Sequence, residues 1–310
     1  MSVGNRLQIG VVGLGDIAGK AYLPVLAARD DVELSVMSRT ADTVGRIARQ
    51  YAVRQATTRL DELIDGGLDA AFVHASTEAH AALVDRLLRA GVPVLVDKPL
   101  APDLRTARQL VELAEGQGCS LSVGFNRRWA PAYRRLAEVS RSVVLLQKNR
   151  AGLPDEPRRL VFDDFIHVVD TLRFLMPTGE EQVGVRCGTA AGLLRTVVLE
   201  LQVDEVTGLG VMSRVSGADE EILQVLGDGH THRVVDLAQI WRAQDGDRDG
   251  VRLVRRADWT PVPTQRGFTD MCSAFLSAVR EGRVLSARDA LRTHAICEDV
   301  VRDAEAALGR

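Results

Sequence analysis

Asp163, His167 and Asp170 stand four and then three residues apart inside an otherwise apolar stretch. On an α-helix they fall within an arc of roughly 60°. The opposite arc carries Phe165, Val168, Val169, Leu172, Leu175 and Met176, so the spacing predicts an amphipathic helix whose polar side holds two carboxylates and an imidazole. Such a set suits proton exchange: histidine titrates near neutral pH, and a carboxylate one turn away can accept from one ring nitrogen and leave the other for a substrate. The plain alternative is that Asp163 or Asp164 caps the helix start and His167 is a hydrogen-bonded core residue. This stretch alone leaves both open.

A second set of candidates comes from composition. Of 39 basic residues only Lys20, Lys98 and Lys148 are lysine; the others are arginine. A surface cation tolerates either type, whereas lysine alone is a compact charge that can lose its proton. A drift towards arginine therefore spares lysine mainly where its chemistry is needed, and these three become candidate functional groups.

The elements that must position such groups begin with Leu7 to Val12, an apolar run of the kind that forms a buried parallel strand. It leads into Gly13-Leu14-Gly15-Asp16-Ile17-Ala18. Gly13 permits the tight turn, Gly15 lets a pyrophosphate approach the backbone, and the small Ala18 allows close helix–strand packing, with the phosphates at the helix N-terminus beside Asp16 and Ile17. The second strand, Val32 to Met37, ends in Ser38-Arg39-Thr40, where an acidic residue would ordinarily bind the adenosine ribose. Two hydroxyls and a guanidinium fit a 2'-phosphate instead, so NADP is expected ahead of NAD. Ser38 or Thr40 can also cap the helix expected over Ala41 to Tyr51.

Strand and helix patterns keep alternating through Leu68–His74, Glu78–Ala90, Val92–Val96, Leu104–Glu115 and Ser120–Gly124, which predicts an α/β, doubly wound parallel sheet with its ligand outside the carboxyl ends of the strands. Ser76, Lys98, Asn126 and Arg127 follow those ends and are expected along the cofactor, Lys98 at its nicotinamide end. His74 and His80 read as structural or rim residues. A dinucleotide-binding domain is thus expected over residues 1–123.

Residues 124–310 read as a second, α+β domain. Runs such as Val143–Lys148, Thr196–Val203, Gly208–Arg214 and Ile222–Leu226 follow one another across short turns and predict a mostly antiparallel, open-faced sheet. Lys148 ends one of these strands near the acid–base stretch, which makes it a substrate-binding candidate. Val197, Val198, Leu199 and Leu201 place apolar residues at both parities of one strand, leaving neither face clearly wet, so a homodimer or homotetramer through this sheet is expected. Asp245 to Gly250 imitates the start of a calcium loop, but Arg256 stands where the closing glutamate belongs, so a solvated turn and no metal are expected. Helices are expected near Phe268–Arg280 and Ala287–Ala307, the second opening with Ser286 and Asp289 as a capping box.

The formal net charge of −3, without a basic cluster, gives no footprint for nucleic acid or anionic lipid. No apolar run reaches the length of a membrane span, the first residues are too short and polar for a signal peptide, and four scattered cysteines form no disulfide framework. A cytoplasmic protein with a small-molecule substrate is expected.

Together the glycine turn, the lysine-proline at a later strand end and the D-x-x-x-H-x-x-D phrase resemble the glucose-fructose oxidoreductase, inositol dehydrogenase and rhizopine catabolism (Gfo/Idh/MocA) family. The likeness runs nearly end to end, and Gly124 to Arg128, Asp164 to Thr171 and Gln265 to Phe268 look most like its MviM-like branch. The resemblance implies a catalytic group of Lys98, Asp163 and His167, with Lys98, Lys148, Asp163 and His167 at the substrate. It implies an NADP-dependent oxidoreductase moving a hydride between nicotinamide and a secondary alcohol or ketone of a sugar or cyclitol. Reduction of an imine and a non-catalytic NADP-binding regulatory protein are the alternatives; a mere binder has no need of the intact set. One departure is Asp97, a shorter acid where the family has glutamate, which alters how Lys98 is held.

Overall fold

The structure, a computed structural model, describes residues 6–246, 250–254 and 257–309. The chain forms two compact units, one of residues 6–124 with Phe268–Leu291 and the other of Phe125–Gly267 with residues 292–309. The acidic turn at Asp247 and its comparison residue Arg256 lie outside the described residues.

Six parallel strands make up the sheet of the first unit, in the order β3-β2-β1-β4-β5-β6. They are β1 Leu7–Val12, β2 Val32–Met37, β3 Gln55–Thr57, β4 Ala70–Val73, β5 Val94–Val96 and β6 Leu121–Val123. Both faces of these strands are covered, so they are apolar throughout: every residue of β4 and β5 is buried. The neighbours of β1 are β2 and β4, and the chain leaves it in opposite directions, which opens a crevice at their carboxyl ends. Here Gly13 adopts φ +88°, and a Cβ on it would lie 2.4 Å from the Ala75 backbone nitrogen. Only glycine allows this turn to pass so close to the end of β4.

Phe268–Arg280, which the sequence pattern places in the second domain, packs instead with the first unit. Its aromatic stripe decides this: Phe268 meets Tyr22 edge-on at 5.1 Å and Phe275 meets Phe72 at 5.3 Å. Ser273 accepts from Arg29 at 2.9 Å, and Arg280 pairs with Asp31 at 2.8 Å.

The second unit contains an eight-stranded sheet, β14-β13-β12-β11-β7-β10-β9-β8. Its strands are β7 Val143–Asn149, β8 Gln182–Ala190, β9 Leu193–Val203, β10 Val206–Ser213, β11 Glu220–Gly227, β12 His230–Val235, β13 Gln239–Gln244 and β14 Arg252–Val254. All neighbours are antiparallel except β7 and β10, which run parallel. One face is buried beneath the helix Ile166–Leu175. This helix comes close because β10 offers it glycine: a Cβ on Gly210 would lie 2.6 Å from Val168 and 2.9 Å from Leu172. The other face keeps Leu145, Leu209, Val211 and Ile222 only half-buried, and Val198 is 37% exposed. Among the described residues no helix is long and apolar enough to cross a membrane, and all four cysteines are free thiols.

Candidate active site

In the first unit a cleft of about 330 Å³ lies at the carboxyl ends of β1, β2 and β4. Gly13, Gly15, Ser38, Arg39, His74 and Ser76 are among the residues that line it, and none of the lining residues is acidic. A dinucleotide fits the cleft on two counts: the glycine turn keeps side chains clear of its floor, and Ser38 and Arg39 stand where the ribose is held in this fold. Asp16 lies outside this cleft, exposed and paired with Lys20 at 2.8 Å. Lys20 is thus a solvated surface cation, one of the three lysines without a buried role. Ile17 is half-buried and Ala18 fully buried. Thr40 occupies the N-cap position before Ala41–Tyr51, but its side chain makes no capping bond.

Immediately after the glycine turn the helix opens into a π-turn, Ala18–Tyr22. The wider turn sends Tyr22 inward, where its ring stacks on His74 at 3.7 Å and its hydroxyl donates to Asp97 Oδ1 at 3.2 Å. Tyrosine thereby reaches the shorter acid that precedes Lys98. Burial pushes the Asp97 carboxyl up, while Lys98, His80 and the Tyr22 bond pull it down. Lys98 itself is half-buried on the loop after β5. His80 bridges the Pro99 and Ala75 carbonyls at 2.7 and 3.0 Å, a structural role that ties this loop to the end of β4. His74 differs: among the described residues neither of its ring nitrogens has a hydrogen-bond partner, and burial pushes its pKa down to about 3.

In the second unit one helical run extends from Pro157 to Leu175, interrupted by a second π-turn at Val161–Phe165. A straight α-helix would put Asp163, His167 and Asp170 on one face; the π-turn breaks that period. Asp163 turns outward, its side chain 52% exposed and 3.7 Å from Arg159. His167 is half-buried. Asp170 is buried and receives Arg128 through Nη2 at 2.6 Å and Nε at 2.9 Å, and also Thr293 at 3.3 Å. Arg173, three residues on, pairs with Glu181 at 2.9 Å.

Asp164 is the residue the π-turn aims at the sheet. Its Oδ1 lies 2.7 Å from Lys148 Nζ, and its Oδ2 lies 2.5 Å from Arg214 and 3.6 Å from Arg150. Behind this pair, Glu221 binds Arg127 through both oxygens, at 2.7 and 2.6 Å, and accepts from Tyr133 at 3.0 Å. Arg127, expected along the cofactor, thus spends Nε and Nη2 on Glu221, and Asn126 donates to the Arg266 carbonyl at 2.8 Å. Burial pushes Lys148 down to about 8, with Arg127 acting in the same direction against Asp164 and Glu221. Burial also opposes ionisation of Glu221, yet Arg127 and Lys148 hold it near 2. Asp164 likewise stays below the ordinary carboxylate range against its burial, because Lys148, Arg150 and Arg214 surround it.

Asp164, Glu221, Tyr133 and Tyr22 were not among the candidates drawn from sequence. Strand parity carried a signal for one of them: Glu221 alternates with Leu223 and Val225 on the inward side, as Lys148 alternates with Val144 and Leu146, and the register pairs the two residues.

Comparison with known proteins follows the same division of the chain. Residues 7–125 match the model for the oxidoreductase family with an NAD-binding Rossmann fold (GFO_IDH_MocA), and residues 131–245 match the YceM-like C-terminal domain. YceM of Salmonella typhimurium, named as an oxidoreductase, is 34% identical over 309 residues, covering 97% of this chain and 99% of that protein. The chain belongs to the Gfo/Idh/MocA oxidoreductase family. Solved Gfo/Idh/MocA structures agree: one from Vibrio cholerae has a TM-score of 0.91 at 30% identity, covering 98% of this chain and 100% of that one. The dehydrogenase MviM from Clostridium difficile has a TM-score of 0.89 at 26% identity, covering 96% and 99%. The myo-inositol dehydrogenase Hyg17 of Streptomyces leeuwenhoekii is 34% identical over 228 residues, 67% of this chain and 69% of that one. As a Gfo/Idh/MocA protein the chain is a nicotinamide-dependent dehydrogenase or reductase.

Proposed function

We propose that the protein is an NADP-dependent oxidoreductase that interconverts a secondary alcohol and its ketone on a sugar or cyclitol. The observation that carries the cofactor preference is the cleft at Ser38 and Arg39, whose lining contains no carboxylate to bind a ribose 2'-hydroxyl. The substrate class is supported by relatives named as a myo-inositol dehydrogenase and, at 29% identity over 185 residues, a 1,5-anhydro-D-fructose reductase.

A nicotinamide held in the cleft supplies or takes up the hydride. The chain's own groups manage the charge and the proton. Reduction of a ketone builds negative charge on its oxygen; Lys98 stabilises that charge and His167 delivers the proton, with the reverse on oxidation. Asp163, four residues before His167 and steadied on its exposed side by Arg159 at 3.7 Å, orients the imidazole. Lys148 belongs to the substrate side, held by Asp164.

Charge-assisted bonds from Arg39 to the 2'-phosphate are worth roughly 1.5–3 kcal/mol, about ten- to a hundredfold in affinity. Fluorescence titration of NADPH and NADH against the purified protein checks this, and equal affinities would defeat it. A screen of NADPH oxidation and NADP reduction across sugars, cyclitols, ketones and imines then tests the reaction. We further propose that the half-buried sheet face around Leu209 and Val211 seats a second copy of the chain; a monomer of 33.7 kDa in light scattering at micromolar concentration would exclude it.

A further inference from the structure

We propose that Arg150 and Arg214 hold an anionic group of the substrate, a carboxylate or a phosphate, on the open side of the Lys148–Asp164 pair. The inference rests on the oxidoreductase reading above and narrows its substrate class from neutral sugars to acidic or phosphorylated ones.

The topology brings the two arginines together. Strands β7 and β10 are parallel neighbours, with Leu145 opposite Leu209 and Gln147 opposite Val211, so they end at the same edge of the sheet. Arg150 and Arg214 are the residues that follow those ends, and the Arg150 backbone nitrogen donates to the Ser213 carbonyl at 2.8 Å. The π-turn sets Asp164 opposite both.

Charge does not balance there. Arg127 and Glu221 answer one another bidentately. That leaves Lys148, Arg150 and Arg214 around the single carboxylate of Asp164, with two positive charges in excess. Glu220 and Asp219 accept from neutral donors, the Asn149 amide and the Ala151 backbone, both at 2.9 Å, and among the described residues neither comes within ion-pair distance of the three cations. Excess charge would be unremarked on a surface, but the Arg214 side chain is only 11% exposed and Lys148 2%. Buried cations without counter-charge are costly, and an arriving anion removes that cost.

Donor geometry agrees. Arg214 gives Nε to the Leu153 carbonyl at 2.7 Å and Nη1 to Asp164, while Arg150 makes one long bond, 3.4 Å, to the Asn149 carbonyl. Among the described residues nothing accepts from Nη2 of either. Two guanidiniums that flank one carboxylate oxygen and keep an Nη2 each to spare suit the paired oxygens of a carboxylate or phosphate better than a neutral hydroxyl. The spacing to the proposed acid–base residue is short. Asp164, in the π-turn, precedes His167 by three residues on the same helical run, so one element carries both.

Isothermal titration in saturating NADP tests the proposal with D-gluconate and D-glucose 6-phosphate against D-glucose. The expected result is that one or both anions bind about ten- to a hundredfold more tightly than glucose, the range for hydrogen bonds to charged groups. The arm that wins tells carboxylate from phosphate. Arg150→Gln should abolish the preference while leaving NADP affinity unchanged, and Arg150→Lys should retain part of it. Binding of glucose as tight as that of both anions, no binding of either anion, or a preference that survives Arg150→Gln would overturn the proposal. An anion preference without hydride transfer to any compound would instead sink the reaction proposed above and leave this site standing. Hydride transfer confined to neutral sugars would do the reverse.

Discussion

The two π-turns do similar work with different chemistry. Ala18–Tyr22 delivers an aromatic ring and one hydroxyl to Asp97, in a setting of stacked neutral rings. Val161–Phe165 delivers a carboxylate, Asp164, to a lysine and two arginines, backed by the Arg127–Glu221 pair. In both places the extra residue per turn re-aims one side chain, as π-turns near functional sites commonly do. The difference lies in what each arrangement tolerates. The first depends on fit and a single hydrogen bond to one carboxylate, so losing the donor should cost less and be felt mainly in titration. The second holds interlocking charges away from water, so losing one partner leaves another stranded.

The largest effect should come from the proposed acid–base residues. His167→Ala is expected to lower turnover on an identified substrate by about 10²- to 10⁴-fold with cofactor affinity nearly unchanged. Lys98→Ala should be at least as damaging, with no rescue by Lys98→Arg, because a guanidinium neither fits nor titrates. Wild-type turnover in His167→Ala would return that residue to the role of a core histidine.

Acid titration probes the neutral side. Burial and the nearby His80 hold the His74 pKa near 3, below its ordinary 6.5. The unfolded chain therefore binds a proton that the folded chain refuses between those values, so this contribution to stability is present above pH 6.5 and lost as pH falls towards 3. At about 1.4 kcal/mol for each pH unit between them, the loss amounts to roughly 5 kcal/mol at most. His74→Phe keeps a ring against Tyr22 and should flatten the urea-unfolding profile between pH 6.5 and 4.5. An unchanged slope would show that the histidine meets water.

On the charged side, Glu221→Gln strips the counter-charge from buried Arg127 and weakens the support of Lys148. It should cost about 3–5 kcal/mol in urea unfolding at neutral pH. A cost under about 1 kcal/mol would mean that the network is solvated and that the contrast between the two turns is false.

The smallest effect belongs to Tyr22→Phe, about 1.5–3 kcal/mol for one donor to a carboxylate. Its signature lies elsewhere. The Tyr22 bond pulls the Asp97 carboxyl down against its burial, so without it Asp97 takes up its proton at higher pH and the acid limb of the turnover profile moves upward. Lys98 and His80 act on the same carboxyl and are left in place. An unmoved limb would reduce Tyr22 to packing.

The parallel sheet was legible because apolar runs, a glycine turn and alternating helices leave few other folds open, and strands β1, β2, β7 and β9 to β11 emerge close to their expected bounds. The short strands β3, β13 and β14 carry no comparable pattern; Gln55–Thr57 and Arg252–Val254 are three residues each and owe their pairing to neighbours. The site was harder. Counting lysines picked out Lys148, which is buried against Asp164, and equally picked out Lys20, which is solvated. A helical wheel assumes 3.6 residues per turn throughout. It therefore grouped Asp163 with Asp170, whereas the π-turn separates them and presents Asp164 to Lys148 instead. Nothing in the residue types around Val161 announces that change of period.

The order of the larger sheet has a mechanical consequence. Strands β8, β9 and β10 zip up from neighbouring residues, as do β11 through β14, and the two ribbons meet only across β7. β7 comes from earlier in the chain and is the keystone between them, and the cluster of Lys148, Arg150 and Arg214 sits along that seam. Removing an edge strand would shorten one ribbon. Removing β7 would leave two, with Arg214 on one and Glu221 on the other.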